Sequence, residues 1–335
     1  MLDREIVFIA DRVKNHDNAT IYSYDLEKLA DEYFEQMRSS LNSCASTVTY
    51  YSSPNAFLDH ISEHKESLVF SLWSGESLKN RRALIPSICE AYGIPYVGAD
   101  PYIHTICADK HLCKMLCKRC DISFANDVII SSAYDFPLLK KFKYPAVVKP
   151  NFEGGSIGIF NSNLVNNYND ATLACQTLLS NFSQLIVEEY IPGEEINVCI
   201  AGTGKHIDIF EAVRISIDGK SYFDHDLLGA EAKKMKRTSN TYTIVTDCFP
   251  ATEREKLIKL YYSMDKVELI RVDGRLNKST FTMIELTPDC SLSPSSSMFF
   301  AFQAAGYPSH ESMIEKICQN SLIDLKSGYR NANKK

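Results

Sequence analysis

Lys149-Pro150-Asn151-Phe152-Glu153-Gly154-Gly155-Ser156-Ile157-Gly158 follows the apolar run Tyr144-Pro-Ala-Val-Val148, and its reading decides the fold. A lysine that ends a buried strand places a point charge where a nucleotide phosphate can lie. The glycines let the loop turn its amides towards phosphate oxygens, with the Ser156 hydroxyl as a further donor. The segment is not a P-loop, because no G-x-x-x-x-G-K-[ST] occurs. Gly202-Thr-Gly-Lys205 lacks both the earlier glycine and the following hydroxyl residue. Taken alone, the segment also fits a glycine-rich turn beside a surface lysine.

Outward from it, the pattern predicts strands and helices in alternation. Glu5–Ala10, Thr47–Tyr51 and Ser67–Leu72 read as strands. Asp25–Leu41, Asn55–Ile61 and Arg82–Tyr92 read as helices, the last stopping at Gly93. This is the pattern of an open, mostly parallel α/β sheet over residues 1–100. A second unit, 101–190, contains a helix over Thr105–Arg119, a strand at Val128–Ile130 and a helix over Ala133–Phe142. The Lys149 strand, a helix at Tyr168–Leu179 and a strand at Leu185–Glu189 complete it. A third unit, 191–330, opens on a hairpin, Glu195–Ala201 and Ile207–Ile215, joined at Gly202–Gly204. The polar stretch 218–240 reads as an active-site lid. A helix over Glu253–Met264, strands at Val267–Asp273 and Phe281–Leu286, and helices from Met298 and Ser309 follow.

Arg271-Val-Asp273 and Glu285-Leu-Thr287 form the second signal, each at the end of a predicted strand with a turn, Gly274–Thr280, between them. Adjacent antiparallel strands would bring Asp273 and Glu285 together as two carboxylates for magnesium on a nucleotide. Alternation would put Arg271 on the face of Asp273, where its cation could stabilise an oxyanion. A solvated Arg–Asp–Glu patch would give the same letters.

Composition narrows the function classes. In 335 residues, the formal charge of −6 argues against a general nucleic-acid binder. No apolar run approaches membrane-span length. The charged start, Met1-Leu-Asp-Arg-Glu5, does not fit a secretory leader, and 11 cysteines without disulfide spacing read as reduced thiols of a cytoplasmic protein. Cys113, Cys117 and Cys120 share a helical face and are expected to point into the core rather than to hold a metal.

Gly93-Ile-Pro-Tyr-Val-Gly98, Asp109-Lys110, the Lys149–Gly158 segment, Glu188-Glu-Tyr-Ile-Pro-Gly-Glu-Glu195, Arg271-Val-Asp273, Glu285-Leu-Thr-Pro288 and Leu292-Ser-Pro294 occur in this order. Together they resemble the ATP-grasp superfamily and, within it, the D-alanine–D-alanine ligases. The resemblance implies an N-terminal open parallel α/β domain, a central ATP-binding subdomain and a C-terminal α+β subdomain. It implies an ATP-dependent carboxylate–amine ligase that forms an amide through an acyl phosphate, using Mg2+, or Mn2+ in its place. The substrates would be small amino acids or amines, and a homodimer is usual in the resembled family.

The resemblance also implies roles. Lys110 and Lys149 match the lysines on the ATP phosphates, and Ser156 the phosphate-loop serine. Glu188, Glu189, Tyr190 and Ile191 match the adenine hinge, and Glu195 the ribose carboxylate. Asp273 and Glu285 match the metal ligands, with Thr287 beside them. Arg271 matches the arginine facing the acyl phosphate, and Ser296 the contact to the second amino acid's carboxylate. Lys233 or Lys234 would supply the lid lysine.

The departures concern recognition. Thr287 replaces the usual asparagine, and Gly155 a common loop serine. Trp73-Ser-Gly-Glu76 occupies the place of a histidine–glycine motif. Ile9-Ala-Asp-Arg12 lacks the usual early glutamate, so the expectation is either that D-alanine with itself is a poor substrate or that Asp11 or Glu76 takes over the ammonium contact. The rival readings are a ligase of specialised metabolism joining other amino acids or amines, and an ATP-binding protein without catalysis.

Overall fold

The computed structural model describes residues 2–13, 22, 27–75, 79–224, 240–288 and 290–326. Strand β1 (Ile6–Ile9) is buried at every position, as a central strand covered on both faces must be. It pairs in parallel with β2 (Val48–Tyr51) on one side and β3 (Leu68–Ser71) on the other. The helix expected from Asp25 starts instead at Asp31 and runs to Cys44, because Leu29 is held extended in a bridge to Arg12. Its buried face of Phe34, Met37 and Leu41 shares one core with Met313, Ile314 and Ile317 of the helix His310–Lys326. The first and last parts of the chain are thus packed together.

The helix expected over Thr105–Arg119 is two helices, Pro101–Ala108 and Lys110–Arg119. Asp109 between them is extended, and its carboxylate accepts from the amides of His111 and Leu112, starting a new helix. Cys113, Cys117 and Cys120 are buried in the core, as their spacing suggests. Strand β4 (Ser123–Phe124) and strand β5 (Asp127–Ile130) follow. The expected helix after them, Ala133–Lys141, is a 3-10 helix, since Pro137 has no N–H to give an α-helical ladder.

Strand β6 (Ala146–Pro150) carries Lys149 near its end, and β7 (Leu164–Val165) and β8 (Leu185–Glu189) complete a four-stranded antiparallel sheet, β5-β8-β6-β7. Strands β9 (Gly193–Thr203) and β10 (His206–Ile217) form the expected hairpin, but both run further than expected, leaving Gly204-Lys205 as the turn. Within the expected lid, β11 (Tyr222–Phe223) pairs with β9; β12 (Asn240–Ile244), which starts at the lid's last residue, pairs with β10. Lys233 and Lys234 lie outside the described residues.

Strands β13 (Leu269–Asn277) and β14 (Thr280–Thr287) close the sheet β12-β10-β9-β13-β14-β4. The turn expected over Gly274–Thr280 is mostly strand, and the hairpin turns at Lys278-Ser279. At Gly274 a Cβ would lie 2.5 Å from the Phe281 ring and from the Thr282 carbonyl, so glycine is required where the bulge follows Asp273. The helix Ala251–Tyr262 covers one face through Leu257, Leu260 and Tyr261, packed on Val198, Ile200 and Val272. No helix among the described residues is long and apolar enough to cross a membrane.

Candidate active site

The face of the large sheet opposite that core carries the chemistry. Asp273 pairs in register with Glu285 on one side and Asn197 on the other, so three oxygen-bearing side chains form a row across β9, β13 and β14. The next row contains Arg271 opposite Thr287, and on the other side of Asp273 lies Arg275 opposite Glu195. Arg271 grips Asp273 with both ends of its fork, Nε to Oδ1 at 2.6 Å and Nη2 to Oδ2 at 2.7 Å. Burial opposes the charge of Arg271, but the adjacent carboxylate outweighs it and raises the pKa further. Arg275 pairs with Glu195 at 2.5 Å, though burial still lifts the Glu195 carboxyl above its ordinary range.

The two lysines expected from the sequence to meet phosphate come from separate elements. Lys110 is the first residue of its helix, and its Nζ lies 3.1 Å from Glu285 and donates to the Glu153 carbonyl. Burial would lower the Lys110 pKa, but Glu285 raises it. In turn desolvation would raise the pKa of the partly exposed Glu285, but Lys110 and Lys149 hold it below its ordinary range. Lys149 pairs with Glu188, which also takes Lys114 at 2.7 Å. Burial alone would raise the Glu188 pKa; the two lysines instead hold it at about 2.

Asn151 sets the relation between the lysines. It is fully buried, its backbone carbonyl accepts from the Lys110 amide, and its side chain joins Asp109, His111 and Gln184. Past it, Gly155 (φ 60°) and Ser156 (φ 63°) are both left-handed, so the loop turns sharply where its amides would meet an anion.

Thirteen of the residues singled out in the sequence (Lys110, Lys149, Ser156, Glu188, Glu189, Tyr190, Ile191, Glu195, Arg271, Asp273, Glu285, Thr287 and Ser296) line one cleft of about 670 Å³. Ser296 caps the helix Ser297–Ala304, accepting the Phe299 amide at 3.2 Å. Sequence reasoning missed Asn151, Lys114, Asn197 and Arg275, whose partners are set by register and by distant helices.

The cleft's N-terminal wall differs from expectation. Asp11 does not line it: its carboxylate accepts the Ser74 amide (2.7 Å), the Ser74 hydroxyl and the Gly75 amide (2.9 Å), fixing the Trp73–Gly75 turn. An ammonium contact is therefore not its work. Glu76 lies outside the described residues. Glu27 does line the cleft, paired with Arg81 at 2.6 Å and Arg82 at 3.3 Å, and Arg81 also meets Glu153 at 3.1 Å.

The donor set fits a hard divalent cation. No group of three or more His, Cys, Asp or Glu among the described residues forms a cage. Two carboxylates with remaining positions left to phosphate oxygens and water are what magnesium takes. Beside them, Thr287 Oγ1 is buried with no hydrogen-bond partner among the described residues, an oxygen a cation could use.

The family model described as the D-ala D-ala ligase C-terminus matches residues 129–319. A D-alanine–D-alanine ligase of Clostridium botulinum (strain Okra) is 28% identical over 189 residues, covering 55% of this chain and 60% of that protein. The match to it and its clostridial counterparts therefore spans less than two thirds of their length. The D-alanine–D-alanine ligase of Thermotoga petrophila is 24% identical over 299 residues, covering 86% and 91%. The crystal structure of the ligase from Bacillus anthracis superposes with a TM-score of 0.72 at 18% identity, covering 97% of this chain and all of that one. The fold is the ATP-grasp fold, and with more than half of its length under the family model the chain belongs to the D-alanine–D-alanine ligase family.

Proposed function

We propose that the protein is an ATP-dependent carboxylate–amine ligase. The observation that carries this is the convergence of Lys110, Lys149, Arg271, Asp273 and Glu285 from four separate elements on one cleft beside a glycine-rich loop. In this reading the γ-phosphoryl group passes from ATP to a carboxylate, releasing ADP. An amine then attacks the acyl phosphate, phosphate leaves, and an amide remains. Lys110, Lys149 and the 154–158 amides neutralise and position the phosphates. Glu188–Ile191 receives adenine and Glu195 the ribose hydroxyls. Asp273 and Glu285, with Thr287, hold Mg2+ or Mn2+, which when bound draws charge from the phosphate oxygens. Arg271 faces the oxyanion, Ser156 contacts the transferred phosphoryl group, and Ser296 orients the second substrate's carboxylate.

The units 1–100, 101–190 and 191–330 are the proposed domains, supported by the three separate sheets, although β4 joins the sheet of the third. The test of function is ADP release by the full chain with ATP and magnesium, with and without amino acids. Release that needs an amino acid, with a product lighter by one water than the sum of its parts, supports the ligase. Nucleotide binding with no release for any acid and amine would leave a binding protein instead.

The N-terminal wall favours a substrate pair other than two D-alanines, because its described carboxylate, Glu27, already faces two guanidinium groups. D-alanine alone should therefore release ADP more slowly than at least one other member of a panel of L-, D- and β-amino acids. Efficient turnover of D-alanine alone would contradict this second reading.

A further inference from the structure

Asn197 is a buried polar residue of the cleft to which no role has been given. It is 5% exposed, sits on β9 directly opposite Asp273, and shares the row that ends at Glu285. Its Nδ2 donates to Asp273 Oδ1 at 2.8 Å, and its Oδ1 accepts from the buried Ser297 hydroxyl at 2.9 Å. Arg271 also donates to Asp273, at both oxygens.

A carboxamide presents an oxygen and an NH2 group in nearly the same shape, and half a turn about its last bond exchanges them. Asn197 turned in this way would set Oδ1 beside Asp273 Oδ1 and offer NH2 to Ser297 Oγ, which accepts as readily as it donates. Neighbouring oxygens on an octahedral magnesium, each about 2.0–2.1 Å from the ion, lie about 2.9 Å apart. The 2.8 Å between the Asn197 amide atom and Asp273 Oδ1 matches that edge. The described residues offer two carboxylates here and no third, so further protein oxygens must be neutral. An amide oxygen is a stronger donor to a hard cation than the Thr287 hydroxyl.

We infer that Asn197 supplies an amide oxygen to the divalent cation held by Asp273 and Glu285, and that Ser297 fixes its orientation. The inference rests on the reading of this cleft as a nucleotide and metal site. It gives the amide-type ligand to β9, where position 287 on β14 carries only a hydroxyl.

The test uses Mn2+ as the probe, with uptake by the full chain in the presence of ADP measured by electron paramagnetic resonance of the free ion. Asn197→Val should weaken Mn2+ by about tenfold or more, with ADP affinity in chelator unchanged. The double variant Asn197→Val with Thr287→Asn, which returns an amide from β14 on the other side of β13, should recover most of the loss. Ser297→Ala should give a smaller loss, and it carries the test should Asn197→Val not fold. Unchanged Mn2+ affinity in folded Asn197→Val, or in Ser297→Ala if that variant alone folds, overturns the inference. So does a folded double variant without recovery. A wild type that binds ADP but takes up no Mn2+ overturns the reading of the site and the inference with it. Uptake by the wild type that is insensitive to these changes overturns the inference alone.

Discussion

Two walls of one cleft treat their charges differently. On the sheet wall, Lys110, Lys149, Glu285 and Asp273 are paired across elements but all line the open space. On the N-terminal side, Asp11 lies off the cleft and is taken up by the Trp73–Gly75 turn, and Glu27 on the wall is covered by Arg81 and Arg82. In the proposed reading the first wall meets phosphates and a hard cation, demands that lysines, an arginine and carboxylates answer directly. A substrate's ammonium or side chain can be met by many arrangements, and the second wall is free to be rebuilt.

The comparison breaks first at Glu285 if it is wrong. Glu285→Gln should reduce turnover by about a thousandfold or more, since a metal-borne stabilisation of several kcal/mol is at stake, with the fold intact by circular dichroism. Unchanged turnover at saturating magnesium would remove Glu285 from the site. Lys149→Ala comes next and should weaken ATP by about ten- to a hundredfold, the scale of one charged hydrogen bond, while adenosine binding changes little. Glu195→Ala should weaken both ligands alike. Calorimetry that finds equal losses for ATP and adenosine in Lys149→Ala would contradict the phosphate role.

The other wall is probed by Asp11→Asn. Losing the anionic acceptor of the Ser74 and Gly75 amides should lower stability by about 1–2 kcal/mol, seen in thermal melting, with KM for amino acids unchanged. A raised KM without a change in melting would return Asp11 to the substrate. Acid probes the sheet wall in a further way. The Glu188 carboxyl lies at about 2 when folded against 4.5 ordinarily. Its contribution to stability is complete above pH 4.5 and is lost as pH falls through about 2. Glu188→Gln should flatten the melting-temperature profile in that window, and an unaltered profile would mean that the lysine pairs are not held in solution.

Much of the sheet wall was legible because its residues stand at strand ends in strongly patterned segments. Tyr168–Leu179 and Leu185–Glu189 were read to the residue. Asn197 and Arg275 were not legible: a polar residue inside a strand looks the same whether it faces solvent or a partner, and only the β9–β13 register decides. Asn151 drew no notice beside its glycines, although it ties both lysines together. The break at Asp109 was hidden because apolar spacing continues across it, while capping is a local event. Glu27 reaches the cleft from a segment that pattern reading placed inside a helix.

The short strand β4 lies on the edge of the large sheet, and the chain then passes into β5; it returns from β8 into β9. Asp127 at the start of β5 and Glu188 near the end of β8 are register partners, so both crossings lie side by side. The four-stranded sheet is thus hung like a door with its two pins at one edge, and Lys114 runs between them to Ala125, Asp127 and Glu188. Glu188 sits beside these crossings, whereas the 154–158 loop follows β6, which pairs along the far side of β8.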